Sequence, residues 1–210
     1  VQSLWGLPLF YFKFMATLTT QLEAVNSMLG HIGEAPVNSI ADTSTLPVSA
    51  STALSVLDEV SREVQTMGWH FNTTNKYTLT PLADNTIQLP SNTLHVDTTD
   101  GSKDVVQRGL KLYDRKNNTN EFSSSLDVTI TLLLDWDDLH EQARRYITLR
   151  ASRIFQTRMM GSRELEALIA RDEFIAKSLL EEVDSRGSDR TIFDNYDVYT
   201  GIGINRNYDI

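Results

Sequence analysis

Residues 64–80 read VQTMGWHFNTTNKYTLT, and within them the spacing of apolar side chains changes from a helical period to alternation. Upstream, apolar residues recur at intervals of four, three, four and three, the pattern of a helix buried on one face: Ala53, Leu57, Val60, Val64 and Met67. Gly68 is placed to end that helix in the left-handed conformation. Downstream, residues 76–80 alternate as a half-buried strand does. The stretch predicts that a helical part gives way to a β part at Gly68.

A first helix is predicted before this one. Thr20 and Glu23 have the spacing of a capping box, in which each side chain binds the other residue's backbone amide. Apolar residues then follow at helical spacing: Leu22, Val25, Met28, Leu29 and Ile32. Gly33 and Pro36 are typical of a helix end, and a Ser- and Thr-rich loop with Pro47 leads to the second helix.

The β part is predicted from short alternating runs separated by turn signals. The runs are 76–80, 86–89, 93–96, 109–113 and 126–134, and the turn signals include Pro81, Pro90 and Asp100-Gly101. Short strands joined by tight turns favour an antiparallel sheet or small barrel inserted between helices, because parallel sheets need long crossover connections.

Two more helices are predicted in the C-terminal half. Asp137 or Asp138 is the expected cap of the third, which ends before Gly161-Ser162. The fourth runs from Arg163 to about Ser185 on an apolar pattern of Leu165, Leu168, Ile169, Ile175, Ala176, Leu179, Leu180 and Val183. The predicted fold is therefore α+β: a four-helix, bundle-like domain from both chain ends with an inserted antiparallel β-sheet or small barrel and an extended C-terminal arm.

The predicted organisation has five segments. They are an N-terminal extension (1–17), the first half of the helical domain (18–68), the β insertion (69–135), the second half of the helical domain (136–186) and the arm (187–210). Residues 1–14 are apolar but too short for a membrane span, which needs about 20 residues, and they contain Gly6 and Pro8. We expect Met15 to be the natural start.

Charge and composition exclude several classes of protein. Of 210 residues, 28 are acidic and 19 basic, giving a net charge of −9 that opposes broad nucleic-acid or membrane binding. The chain has no cysteine, so it has no disulfide, thiolate ligand or thiol nucleophile.

No arrangement in the sequence predicts an enzyme or a cofactor. The four histidines lie apart from one another, and Gly201-Ile-Gly203 lacks the rest of a phosphate-binding loop. Asp135, Asp137 and Asp138 beside Trp136 have the composition of a glycosidase acid pair, but acids before a helix are more typical of capping. We therefore predict no catalytic residue, no metal site and no cofactor.

Two features are interface candidates. Between Glu141 and Glu164 the chain carries arginines without an acid, namely Arg144, Arg145, Arg150, Arg153, Arg158 and Arg163. The following helix is acidic, so these arginines form either intramolecular ion pairs or contacts with another subunit. The second feature is the aperiodic tail with Phe193, Tyr196, Tyr199 and Tyr208, which is interpreted as an arm that orders against a partner.

Several motifs resemble a known family. Gly33-Glu-Ala-Pro-Val37, Gly68-Trp-His-Phe-Asn72 and the segment Ala151–Phe155 followed by Gly161 are similar to the tail tubular protein A family, the adaptors of short-tailed phages. The resemblance runs from about Leu18 to Ser185. It implies a structural virion protein, assembled in the host cytoplasm and located in the virion tail, that forms a ring, expected to be a dodecamer. The implied partners are the portal protein and the nozzle, tail tubular protein B, with genomic DNA crossing the lumen without sequence-specific binding.

Two alternatives stay open from sequence. One is a tail-associated polysaccharide or peptidoglycan hydrolase using Asp135, Asp137 and Asp138, which turnover assays would reveal. The other is a nucleic-acid-binding protein using the arginine-rich helix, which steeply salt-dependent DNA binding would support.

Overall fold

The computed structural model describes residues 18–99 and 103–187. It contains helices α1 (Gln21–His31), α2 (Val48–Gln65), α3 (Glu141–Met159) and α4 (Arg163–Gly187). Its strands are β1 (Thr73–Leu79), β2 (Thr93–Thr98), β3 (Val105–Arg108), β4 (Lys111–Asp114) and β5 (Leu126–Leu132). The α+β class predicted from sequence is confirmed. Residues 1–17, with the predicted start at Met15, lie outside the described residues. So does the predicted arm, 187–210, except Gly187, which is the last residue of α4.

Local signals place α1 where the sequence predicts it. The backbone amide of Glu23 donates to Thr20 Oγ1 at 3.2 Å, and the Thr20 amide donates to the Glu23 carboxylate at 2.7 Å. This reciprocal pair is the predicted capping box. Gly33 follows the helix with a φ of +76°, the left-handed conformation expected of a glycine in that place.

Helix α2 begins earlier and ends sooner than its apolar pattern suggests. Pro47 precedes its first turn, a position where the missing proline amide costs nothing. The helix ends at Gln65, and the chain turns through Gly68 with a φ of +74°. Met67 was predicted to continue the buried stripe, and that prediction is wrong: its side chain is 58% exposed because the residue lies beyond the last helical turn.

Helix α3 is the centre of the helical part. It packs against α1, α2 and α4. Its largest fully buried side chains, Tyr146, Ile147 and Phe155, join Met28 of α1 and Leu57 of α2 in one apolar cluster. The helical segments from the two ends of the chain therefore share a single core.

The cap predicted for α3 is corrected by the structure. Trp136–Asp138 forms a separate turn of 3-10 helix, and His140 is the N-terminal cap. The ring nitrogen Nδ1 of His140 accepts a hydrogen bond from the Ala143 amide at 3.3 Å. Asp137 and Asp138 are too far upstream to reach the first free amides of the helix, since a capping side chain reaches only two or three residues ahead.

The β part is antiparallel, as predicted, but it forms two small sheets. β5 lies between β1 and β2 in one sheet, and β3 pairs with β4 in a second. Residues 86–89, predicted as a strand, make only isolated bridges at Thr86 and Gln88. Strand β4 starts at Lys111 and not at Gly109, because Gly109 has a φ of +64° and belongs to the turn after β3.

Buried amides join the β part to the helices. Gln65 at the end of α2 is fully buried; its Oε1 accepts from the Leu134 amide at 2.8 Å, and its Nε2 donates to the Leu134 carbonyl at 3.1 Å. Asn72 Nδ2 donates to the carbonyls of Gln65 and Leu132 at 2.8 and 3.0 Å. The chain passes between the helical part and the β part twice, once near Gln65 and Asn72 and once near Leu132 and Leu134. These hydrogen bonds join the two crossings. Residues 69 and 135, where the predicted β insertion begins and ends, lie close to this junction. The division into these segments stays a prediction.

Candidate assembly surfaces

Arginines of α3 hold the neighbouring helices through carboxylates. Arg150 donates to Glu173 of α4 at 3.0 Å and also pairs with Glu63 of α2. Arg153 pairs with the same Glu173 and, at 3.1 Å, with Glu166. Glu173 is 7% exposed and lies between the two guanidinium groups. We call these five side chains the ion cluster; it ties α2, α3 and α4 together.

The electrostatics of the cluster favour the charged arginines. Hydrogen bonds that Arg150 donates to the Glu63 carboxylate raise the pKa of Arg150, against the opposing effect of its partial burial. Hydrogen bonds to Glu173 do the same for the pKa of Arg153. Such shared carboxylates match the planar, forked donor geometry of arginine. The charges of Arg150 and Arg153 are therefore paired with carboxylates of the same chain.

Two further arginines have internal partners. Arg158, near the end of α3, pairs with Glu59 of α2 at 2.9 Å on an exposed surface. Arg144 is 3% exposed, and its guanidinium donates to the backbone carbonyls of Thr19, Asp137 and Leu139 at 2.7 to 2.8 Å. This buried cation fastens the segment before α1 to the start of α3.

The remaining predicted interface residues have a different placement. Arg145 and Arg163 are exposed and form no ion pair with a described residue. The four tail aromatics, Phe193, Tyr196, Tyr199 and Tyr208, lie outside the described residues. Of the six arginines, only Arg145 and Arg163 are therefore free within the described chain to meet a partner.

An exposed apolar surface on α4 was missed by sequence reasoning. Leu168, Ile175 and Leu179, predicted to be buried, are 66%, 48% and 50% exposed. The residues of α4 that are buried against α3 are instead Ile169, Glu173, Ala176 and Leu180. A signal was present: the eight apolar positions predicted for this helix cover too wide an arc to face one neighbour.

The acids considered for glycan hydrolysis lie together on one turn. Asp135, Asp137 and Asp138 are all exposed around Trp136. A general acid in a glycosidase needs a protonated carboxyl group, which burial normally supplies. These exposed carboxylates lack that burial. Within residues 18–99 and 103–187, no group of three or more acids, histidines or cysteines is arranged to hold a metal ion.

No helix in the part of the chain that the structure describes is long and apolar enough to cross a bilayer.

Comparison with known proteins identifies the family. The family model described as tail tubular protein matches residues 22–190, which includes both sheets and all four helices except the first residue of α1. Tail tubular protein A of Klebsiella phage KP34 is 35% identical over 128 residues, a match that covers 60% of this chain and 66% of that protein. The chain belongs to the tail tubular protein family, whose members are structural components of the phage virion tail.

Proposed function

We propose that this chain is the subunit of an adaptor ring that connects the capsid portal to the tail nozzle and forms part of the DNA ejection channel. The observation that carries the proposal is the family match over residues 22–190. The proposed partners are further copies of the chain, in a dodecameric ring, the portal protein and tail tubular protein B. Genomic DNA passes through the lumen without sequence-specific contacts, and the chain needs no cofactor and catalyses no reaction.

The ion pairs between the helices support the adaptor role, which requires a subunit that keeps its shape. Arg150 and Arg153 bridge α2, α3 and α4 through Glu63, Glu166 and Glu173. A partly buried network of this kind resists sliding of helices better than apolar contacts alone, because each ion pair holds only in one register. A connector has to keep its shape while DNA and internal pressure act on it.

The charge of the chain supports passage of DNA over binding of DNA. The net charge is −9, and four of the six arginines between residues 144 and 163 bind carboxylates or backbone carbonyls of the same chain. Nucleic-acid affinity depends on free cations that replace counterions on the phosphates. A lumen lined by such a chain repels phosphate and leaves DNA free to move.

The proposed contacts to other proteins use Arg145, Arg163 and the tail aromatics. Arginine and tyrosine are enriched at protein interfaces since both provide a large contact area together with hydrogen bonds. The tail segment with Phe193, Tyr196, Tyr199 and Tyr208 is the proposed arm that reaches a partner ring.

Binding to a portal ring tests the proposal. The purified chain is mixed with portal rings of the same phage, and the complexes are separated by sedimentation and imaged by electron microscopy. The expected result is a ring of the chain seated coaxially on one end of the portal. Failure to cosediment at micromolar concentrations would contradict the adaptor role. Parallel assays for polysaccharide and peptidoglycan cleavage are expected to show no turnover.

A further inference from the structure

Helix α4 presents an apolar line to solvent. Leu168, Ile175 and Leu179 are separated by seven and four residues, so they lie on one side of the helix. Half-buried Leu165 and exposed Asp172 lie on the same side of the helix. The five positions 165, 168, 172, 175 and 179 are therefore spaced by three, four, three and four residues. That repeat is the seam pattern by which one helix packs along another. We call Leu165, Leu168, Ile175 and Leu179 the α4 seam.

The seam continues into a groove beside α3. A cavity of about 160 Å³ is lined by Glu141, Gln142, Arg145, Ala176 and Leu179. Arg145, a free arginine of α3, therefore lies beside the end of the seam, and exposed Arg171 lies on α4 itself. A partner that covers the seam meets apolar side chains bordered by Arg145 and Arg171, together with the carboxylates of Glu141 and Asp172.

The first two helices carry acidic side chains. α1 and α2 pack on α3 and on each other, and α4 packs on α3 and on the turn at His70–Asn72. From residue 18 to residue 69 the only Lys or Arg is Arg62, against six acids: Glu23, Glu34, Asp42, Asp58, Glu59 and Glu63. Glu59 and Glu63 already pair with Arg158 and Arg150 of the same chain. A cavity of about 590 Å³ is lined by residues of α1, α2 and the segment 133–137, including the carboxylates of Asp58, Asp135 and Asp137 and one cation, Arg62. We call it the acidic groove.

Asp58 contributes to this groove as a partly buried carboxylate. Its Oδ1 accepts a hydrogen bond from Gln21 Nε2 at 3.1 Å. Burial raises the pKa of Asp58, while Arg62 and Gln21 act in the opposite direction. An arginine from outside that entered the groove would restore the solvation that this carboxylate has lost.

We propose that the α4 seam of one copy docks on the α1–α2 side of the next copy, with Arg145 and Arg171 directed toward its acidic groove. The proposal rests on the adaptor function and names the contact that builds the ring. The occupant is a second copy because the same chain carries both the exposed arginines beside the seam, Arg145 and Arg171, and the carboxylates of the groove, Asp58, Asp135 and Asp137. A contact between two different faces repeats from copy to copy and closes into a ring when the rotation permits.

Thiol crosslinking tests the contact cleanly because the chain has no cysteine of its own. The double variant Arg62→Cys with Asp172→Cys places one thiol at the acidic groove and one in the line of the seam. The matched control combines Arg62→Cys with Ala167→Cys, an exposed position on α4 away from the seam. Each variant is treated with a short bismaleimide, alone at high micromolar concentration and in the presence of portal rings.

The expected result is a ladder of dimers, trimers and larger products from the double variant and at least fivefold less product from the control. Adding Leu168→Asp and Leu179→Asp should abolish the ladder, whereas adding Phe174→Asp, an equally exposed apolar residue of α4 off the seam, should leave it. No ladder under either condition, or equal ladders from variant and control, would overturn the proposal. Dimers alone from the single variant Asp172→Cys would show a symmetric α4 contact and would overturn it too.

Portal binding separates this proposal from the adaptor function. If the chain caps portal rings but gives no ladder, the assigned contact is wrong and the adaptor function stands. If the chain gives the ladder but does not bind portal rings, the contact stands and the adaptor function is wrong.

Discussion

Gly68 is the residue at which the helical part of the chain ends and the β part begins. Its φ of +74° is a conformation that side chains with a Cβ rarely adopt. A Cβ there would lie 3.5 Å from Thr131 Oγ1 and 3.6 Å from Thr73 Oγ1, which are ordinary contacts. The requirement for glycine is therefore conformational and not steric, which is why its position after an apolar helical run was enough to predict it.

Replacing Gly68 with alanine should destabilise the protein by about 1 to 2 kcal/mol, because an alanine in the left-handed region is strained. The matched control is Gly30→Ala in α1, where an added Cβ would have no described atom within 4 Å and φ is helical. That change should stabilise by up to about 1 kcal/mol. Urea unfolding followed by circular dichroism measures both. Equal effects of the two substitutions would contradict the argument.

Glu173 is the residue on which the ion cluster depends. Glu173→Gln keeps the shape but leaves Arg150 and Arg153 without their shared charge, while Glu63 and Glu166 keep pairing with them. Because both arginines remain partly solvated, we expect a loss of about 1 to 3 kcal/mol, less than for a fully buried pair. Chemical denaturation checks this. Glu182→Gln, in an exposed pair with Arg186, should cost under about 0.5 kcal/mol.

Asp58 should make stability depend on pH. Its folded-state pKa is raised by burial, so its contribution is fully present below the unfolded pKa and is lost as pH rises through the folded pKa. The variant Asp58→Asn lacks this loss. Relative to the parent, it should gain stability between about pH 3 and pH 6, the range around the usual aspartate pKa. Unfolding curves across that range measure the difference; a constant difference would show that Asp58 does not titrate in this way.

At the scale of helices and strands, α2 and α4 differ in how much their apolar pattern reveals. The stripe of α2 covers one arc, and Ala53, Leu57, Val60 and Val64 are all buried as predicted. The pattern of α4 covers a wider arc, of which α3 buries only part. A single sequence states that a side chain is apolar, but it does not state whether the covering surface belongs to the same chain or to another.

The substitutions Leu57→Ala and Leu168→Ala should differ in their effect on stability, because the apolar stripe of α2 is buried and the exposed stripe of α4 is not. Leu57 is fully buried, so its truncation removes apolar contacts and leaves a cavity, at a cost of about 2 to 5 kcal/mol. Leu168 is 66% exposed, and the same truncation should cost less than about 0.5 kcal/mol in the isolated chain. Urea denaturation compares the two under identical conditions. A small loss at Leu57 would mean that α2 is rotated from its assigned position.

The strand pairing and the start of α3 could not be predicted from the sequence. β5 pairs with β1 and β2 although about 50 and 30 residues separate them in the chain, and alternation does not specify a partner at that distance. The cap of α3 was predicted at an aspartate because aspartate is a better cap than histidine in general. Asp137 and Asp138 instead lie within the short 3-10 turn Trp136–Asp138, which ends before the main helix begins.

For the whole molecule, the distribution of charge was visible in the sequence but the pairing was not. The run of arginines in α3 and the acids of α4 could be read directly, and both intramolecular pairing and subunit contact remained possible. The structure divides the set: Arg150, Arg153 and Arg158 pair with carboxylates of α2 and α4, whereas Arg145 and Arg163 stay exposed. Which carboxylate a given arginine reaches depends on helix packing, because each pair joins residues more than twelve positions apart.

Removing the tail tests how stability and assembly are divided along the chain. A chain that ends at Gly187 retains α1 to α4 and β1 to β5, with both apolar clusters. We expect its melting temperature to change by less than about 2 to 4 °C, the shift that 1 kcal/mol produces in a domain of this size. Docking onto portal rings should weaken at least tenfold, because the truncation removes the aromatics of the proposed arm. Differential scanning calorimetry and cosedimentation on the same preparation measure the two quantities. A large drop in melting temperature would place the tail within the fold, and undiminished cosedimentation would remove Phe193, Tyr196, Tyr199 and Tyr208 from the docking surface.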